Sequence, residues 1–201
     1  EDWGAVIACI GYATIPSFLG AGALFYLVEL ARSGFDWSEA LSHGPGLVFY
    51  GAFVGFPVAV LVVRRKGLPL WDVLDLFGRL LPLAHGIARL GCLGAGCCYG
   101  LPTTLPWGIT FTDPMSAAPH DVALHPTQLY EAAGLFALAA SLGWLSTRRR
   151  FAGQIVLSYA IGYAVLRSVV ELFRGDVDRG FVFERALGPG LSTSQAVSLG
   201  V

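Results

Sequence analysis

From Ala5 to Val28 the chain passes no Asp, Glu, Lys, Arg or His. A helix needs roughly 20 such residues to cross a bilayer core of about 30 Å, and a stretch this long and this uncharged has few other uses. Comparable windows follow at about Gly46–Val63, Leu70–Leu90, Ala123–Leu145 and Gln154–Phe173, and Ser192–Val201 opens another. Composition agrees: 55% hydrophobic and 13% charged residues, with a mean hydropathy of +0.63, leave too few charges to coat a soluble domain of 201 residues. The expected fold class is therefore all-α, a polytopic helical membrane protein. Residues 1–201 are expected to form a single integral-membrane domain, with helices at about 5–28, 46–63, 70–90, 123–145, 154–173 and the start of one at 192. The last of these is expected to be cut short, and further helices are expected outside this sequence. Pro16 falls inside the first span, where neighbouring helices tolerate it. A net charge of -1 without a basic stripe argues against nucleic acid as a partner.

Basic residues set the orientation, because Lys and Arg accumulate on the cytoplasmic side. Arg64-Arg65-Lys66 closes the second span and Arg148-Arg149-Arg150 the fourth, so alternation places both on one side, with no acid among them. The opposite side receives residues 32–45, 92–122 and 174–190. There Asp36, Glu39, Asp113, Asp121, Asp176, Asp178 and Glu184 outnumber Arg32, Arg174, Arg179 and Arg185. The chain is expected to be multi-pass, with the loops at 64–66 and 148–150 cytoplasmic.

Ionisable groups at membrane depth cost several kcal/mol unless they face a polar interior, so they mark a working cavity. Asp72, Asp75, Arg79, His85 and Arg89 fall within an arc of roughly 140° on the third helix. Tyr163, Arg167, Glu171 and Arg174 make one stripe on the fifth. The run His125-Pro126-Thr127-Gln128-Leu129-Tyr130-Glu131 opens the fourth. The plainer alternative is structural pairing, Asp75 with Arg79 and Arg167 with Glu171. It suits the cytoplasmic-end group better than Arg89 and Arg167, since an excess of buried arginine needs an anion.

Glycine adds a second signal. The run from His85 to Gly100 holds Gly86, Gly91, Gly94, Gly96 and Gly100 and turns at the outer face. Backbone amides there can approach a ligand closely, and Arg89 adds a bidentate donor, a combination suited to phosphate. Close helix packing on small residues is the competing reading. The same run carries Cys92, Cys97 and Cys98. On the oxidising side a Cys92–Cys97 or Cys92–Cys98 disulfide is expected. The spacing C-x4-C-C without a second cysteine pair falls short of a zinc signature, and no metal is assigned. A thiol that accepts lipid before passing it on is a third reading. Cys9, inside the first span, is most simply a small apolar residue.

These residues resemble the bacterial prolipoprotein diacylglyceryl transferases. The run Ala88-Arg89-Leu90-Gly91-Cys92 to Gly100 is similar to that family's Gly-Arg-x-Gly-Asn-Phe-x-Asn-Gly-Glu signature, with Asp75, Pro82 and Gly86 at matching distances before it. His125 to Glu131 resembles its His-Pro-Ser-Gln-Leu-Tyr-Glu run. Gly162-Tyr163, Arg167 and Glu171 to Phe173-Arg174 resemble its Gly-Tyr, Arg, Glu-Phe-Phe-Arg helix, and Ser194-Gln195 and Gly46 to Gly55 also fit. The departures are Phe49-Tyr50-Gly51-Ala52, where the family has a His-Gly-Gly run whose histidine is proposed as general base, and Cys92, Cys97 and Cys98, where it has asparagine and glutamate.

The resemblance implies a reaction: the diacylglyceryl group of phosphatidylglycerol moves to the lipobox cysteine thiol of a preprolipoprotein, leaving glycerol phosphate. It assigns Arg89 and Arg167 to the lipid phosphate and Glu171 to orienting Arg167. Tyr50 becomes a hydrogen-bond donor to the phosphate, since an unperturbed phenol is a poor base at neutral pH. Gly91, Gly96, His125, Gln128, Tyr130, Glu131 and Tyr163 would line the substrate cavity. The implied partners are phosphatidylglycerol and the preprolipoprotein signal peptide, the implied location is the bacterial inner (plasma) membrane, and no cofactor is implied. The resemblance also implies seven helices in the full protein, the first absent from this sequence and the last cut short. The alternative class is a catalytically lapsed relative that binds lipid as a subunit of a larger membrane complex. A thiol-redox membrane protein ranks third, as no C-x-x-C motif occurs.

The orientation is testable. A cysteine introduced beside Arg149 is expected to resist an impermeant maleimide in intact cells, and ready labelling would reverse the topology.

Overall fold

The computed structural model describes residues 3–38 and 55–175. Tyr50, the expected start of the second span at 46, the outer loop beyond residue 175 and the expected helix at 192 lie outside the described residues. The chain divides into two compact units, 1–73 and 74–201, and its described part is mostly helical.

In the first unit, helix α1 spans Trp3–Arg32 and runs unbroken through Pro16. It is apolar nearly all round, and Ile7, Ile15, Phe18, Leu19 and Leu27 are all exposed. A helix of this kind has no polar face to give to water, so lipid is its natural surround. It packs against α2, Gly55–Arg65, which ends on Arg64 and Arg65. Ala21, Leu30 and Val63 are buried in this unit.

Helix α3 spans Leu70–Gly94 and carries Asp75, Arg79, His85 and Arg89. It runs past Leu90, because Gly91 and Cys92 stay in register and the chain turns only at residues 95–96. The segment 95–126 is irregular apart from a short antiparallel pair, β1 (Ile109–Thr110) with β2 (Ala123–Leu124), in the register Ile109 to Leu124. That pairing delays the next helix. Residues 123–124 are extended, and Pro126 disfavours a helical His125, so α4 starts at Thr127 and runs to Ser146. Helix α5 spans Gln154–Glu171 and packs on α4 through a core that includes Leu135, Leu142, Ile155 and Val170. On the outside of α5, Leu157, Ile161, Val165 and Val169 form an i, i+4 row that is 48–61% exposed.

Among the described residues, two helices are long and apolar enough to cross a membrane by themselves, with windows at Thr14–Ala31 and Thr127–Ser146. The polar residues of α3 lower its mean hydropathy, yet its 25 residues reach about 37 Å at 1.5 Å each.

The start of α5 is capped from another helix. Its N-cap, Gly153, has a left-handed backbone (φ 93°) and no side chain to offer. The Asp75 carboxylate of α3 fills the gap, accepting the backbone N–H groups of Gly153, Ile155 and Val156 at 2.9 Å each. Arg149 Nε completes the arrangement 3.1 Å from Asp75 Oδ2. Asp75 therefore pairs across 74 positions rather than with Arg79 one turn along, whose side chain is exposed. Gly78, one turn on, lets the two helices touch: a Cβ there would lie 2.8 Å from the Val156 Cα.

Asp75→Ala would leave three amides and a cation without their buried partner, an expected loss of about 3 to 5 kcal/mol. Arg149→Ala removes a half-exposed partner and spares the amides, so about 1 kcal/mol is expected. Thermal unfolding in detergent compares the two, and equal losses would refute the cap.

Candidate functional site

The site is built on one buried carboxylate. Glu131, on the first turn but one of α4, is 1% exposed. Arg89 Nε of α3 lies 3.1 Å from its Oε2, and Tyr163 of α5 donates its hydroxyl to Oε1 at 3.2 Å. His85 Nε2 lies 3.9 Å from the same Oε1. His85 and Arg89 are four residues apart, so α3 presents both on one face. The His85 ring packs 5.2 Å from that of Tyr163, and Tyr159 stacks on Tyr163 from the turn before.

Arg167 lies one turn beyond Tyr163. Its Nη1 pairs with Oε2 of Glu171, itself buried. Both guanidinium groups, Arg89 and Arg167, are within electrostatic reach of Tyr163 and of His85. Three helices thus bring two arginines, each braced by a buried glutamate, around one phenol and one imidazole. A guanidinium carries five N–H donors in a fixed fork, the geometry that phosphate recognition uses.

The loop after α3 folds over this cluster's neighbours. Gly96 and Cys98 both adopt left-handed backbones (φ 65° and 60°), and the turn brings residues 97 and 98 back towards Cys92. Two side chains at the head of α4 pin the turn: Gln128 Nε2 donates to the Cys97 carbonyl and Thr127 Oγ1 to that of Cys98, both at 2.7 Å. Arg89 Nη1 points at Cys98 Sγ, 3.5 Å away. Beyond it, Gly100 N donates to His125 O and Leu101 N to Phe173 O, lacing the loop to the start of α4 and the end of α5. Only glycine fits at position 100, where a Cβ would meet His125 O at 2.5 Å and Phe173 O at 2.7 Å.

The residues expected from the sequence divide accordingly. Arg89, Glu131, Tyr163, Arg167 and Glu171 come together. Gln128 reaches the site only through the cysteine turn, and its Oε1 is buried with no hydrogen bond among the described residues. His125 and Tyr130 join an aromatic group with Phe173, in which Tyr130 Oη accepts from Trp107 Nε1 at 2.8 Å and meets His125 Nδ1 at 3.1 Å. Gly91 has open space on its side-chain position, whereas a Cβ on Gly96 would collide with Ser116 Oγ, so the room there is filled by the protein itself. Tyr50 lies outside the described residues.

Sequence reasoning did not pick out His85 as a neighbour of Glu131, nor Trp107. The i, i+4 spacing of His85 and Arg89 was a usable signal for the first. Trp107 offered none, because its partner is 23 positions away.

The expected disulfide is not formed. Cys92, Cys97 and Cys98 are free thiols, half-buried, with their sulfurs within 4.8 Å of one another. Cys97 Sγ donates to the Cys92 carbonyl at 3.7 Å. Burial, and then the adjoining Cys98 and Cys92 sulfurs, push the Cys97 thiol up to about 12, so it is neutral at pH 7.

Comparison with known proteins places these residues in context. The pattern of the prolipoprotein diacylglyceryl transferase family matches residues 2–201. The chain is 40% identical to the phosphatidylglycerol–prolipoprotein diacylglyceryl transferase of Clostridium tetani, over 97% of this chain and 74% of that protein. It is 39% identical to the second such transferase of Clostridium perfringens, over 92% of this chain and 70% of that protein. The enzyme of that name from Bordetella avium is 34% identical, over 87% and 62%.

A buried pair resists the loss of one partner more than the loss of both, because a lone charge is left behind. Glu131→Gln is expected to lower the unfolding temperature in detergent, and Arg89→Met/Glu131→Gln to recover part of that loss. Additive losses would mean that the pair is not coupled.

Proposed function

Because the chain belongs to the prolipoprotein diacylglyceryl transferase family, we propose that it transfers the diacylglyceryl group of phosphatidylglycerol to the lipobox cysteine thiol of preprolipoproteins. The observation that carries the reading is the convergence of Arg89 and Arg167 around Tyr163, each held by its own buried glutamate. In the reaction the acceptor sulfur forms a bond to the glycerol carbon, and the bond from that carbon to the phosphate oxygen breaks. The departing glycerol phosphate takes the electron pair, and the thiol proton is lost. Charge develops on the leaving phosphate, so cations already fixed in place act most strongly in the transition state. Glu131 and Glu171 do the fixing. Each carboxylate holds one edge of its guanidinium and so fixes where that cation stands when the phosphate departs.

The protein acts in the bacterial inner membrane as a multi-pass helical protein, with the basic ends at 64–66 and 148–150 in the cytoplasm. Supporting this are the exposed apolar rows of α1 and α5, and Trp144, exposed beside Arg148 with the guanidinium carbon 4.5 Å from its ring centroid. Such Trp–Arg pairs suit a membrane–water boundary. The arginine site then lies towards the outer end of α3 and α5, at headgroup depth.

Charge-assisted bonds to phosphate contribute about 1.5 to 3 kcal/mol each. Arg89→Ala and Arg167→Ala are each expected to weaken phosphatidylglycerol binding at least roughly tenfold and to abolish rescue of a bacterium depleted of its own transferase. Glu171→Gln should act through Arg167 and give a smaller loss. Parent-level binding and rescue by both arginine variants would overturn the assignment.

A further inference from the structure

Cys92, Cys97 and Cys98 are given no role toward the lipid phosphate, yet the fold gathers them beside Arg89. We propose that their three sulfurs form a thiolate site for zinc, with the fourth coordination position open to a thiol from outside the chain.

Geometry is the first argument. A zinc ion bonded to sulfur at about 2.3 Å in a tetrahedron sets its sulfurs roughly 3.8 Å apart. The three Sγ atoms already lie within 4.8 Å of one another, so closure requires a shift of about 1 Å or less. The turn that brings them together holds a non-glycine residue, Cys98, in a left-handed conformation, and Thr127 and Gln128 hold its carbonyls in place from a buried helix start. Fixed outer partners of this kind are what orient ligands in a preformed metal site.

Ligand chemistry is the second. Three sulfur donors and no carboxylate or imidazole select a soft cation over magnesium or calcium. Among the described residues no fourth His, Cys, Asp or Glu belongs to the group, which leaves one position of a tetrahedron for an exchangeable ligand. Charge is the third. Zinc with three thiolates carries one net negative charge, and the Arg89 guanidinium, which Glu131 holds through Nε, faces that charge with Nη1 3.5 Å from Cys98 Sγ. The thiols are half-buried rather than sealed, so an entry path exists.

The fourth ligand rests on the reading of the chain as a transferase that acts on a thiol. A thiol bound to zinc is deprotonated outright, the state the acceptor cysteine must reach. The three-thiolate site itself does not depend on that reading.

The test uses the full chain, purified in detergent without reductant, loaded with zinc and freed of excess. Elemental analysis is expected to find stoichiometric zinc in the parent and none in C92S/C97S/C98S, with zinc shielding the three thiols of the parent from maleimide. The shielding arm keeps the test decisive if the triple variant fails to fold. Cobalt in place of zinc is expected to give thiolate-to-metal charge-transfer bands that change on adding a lipobox peptide with its cysteine, and not with serine in its place. Zinc retained equally by the triple variant, thiols that label at the same rate with and without zinc, or a disulfide among the three found by mass spectrometry would overturn the site. Zinc bound with a cobalt spectrum blind to the cysteine peptide would overturn the open position alone. Neither readout needs transfer activity, so a failed transferase assay beside bound zinc would count against the function and not against the metal.

Discussion

A carboxylate cut off from water has to be paid for by its neighbours, and Glu131 fixes the site for that reason. Moving an ion of this size into a low-dielectric interior costs several kcal/mol even after relaxation, and one attractive partner only about offsets it. Glu131 has Arg89 from α3, the Tyr163 hydroxyl from α5 and His85 at the edge of contact. None of the three helices can rotate or slide appreciably without stranding that charge. The arginine that would meet a lipid phosphate is therefore placed by the same interaction that joins the helices.

Asp75 does the corresponding work at the other end of α3. Its three amide bonds to the start of α5, together with Arg149, tie the ends of two helices that touch one turn further along α3, at Gly78. The two carboxylates lie on opposite helices relative to their cations: Asp75 on α3 is met by residues around the start of α5, and Glu131 on α4 is met by α3 and α5. Between them the contacts are apolar and close, so polar groups specify the register and apolar packing supplies the bulk of the contact.

Much of this was legible in the sequence because it is local. The stripe Tyr163, Arg167, Glu171 needs only the period of one helix, and Arg167 does pair with Glu171. What the sequence hid was tertiary choice. Asp75 has Arg79 one turn away and takes Arg149 instead, since α5 arrives with uncapped amides that an exposed local pair would not satisfy. Gly96 has the composition of a ligand loop, but its open side is occupied by Ser116, 20 positions on. The cysteines were expected to form a disulfide from their compartment, whereas the three sulfurs stand within 4.8 Å of one another and none is bonded to another. The hairpin that holds the head of α4 was invisible because two-residue strands carry no periodicity.

Charge counting at the site bears on what it can hold. Arg89 and Arg167 are matched one for one by Glu131 and Glu171, so the expectation of surplus arginine fails for that pair. Arg174, one step further along the stripe, is buried as well, at 7% exposure, and its backbone bridges Gly100. The charges of Arg89 and Arg167 are thus built in pairs, and a phosphate that meets them meets guanidinium groups already oriented by Glu131 and Glu171 rather than a bare excess of positive charge.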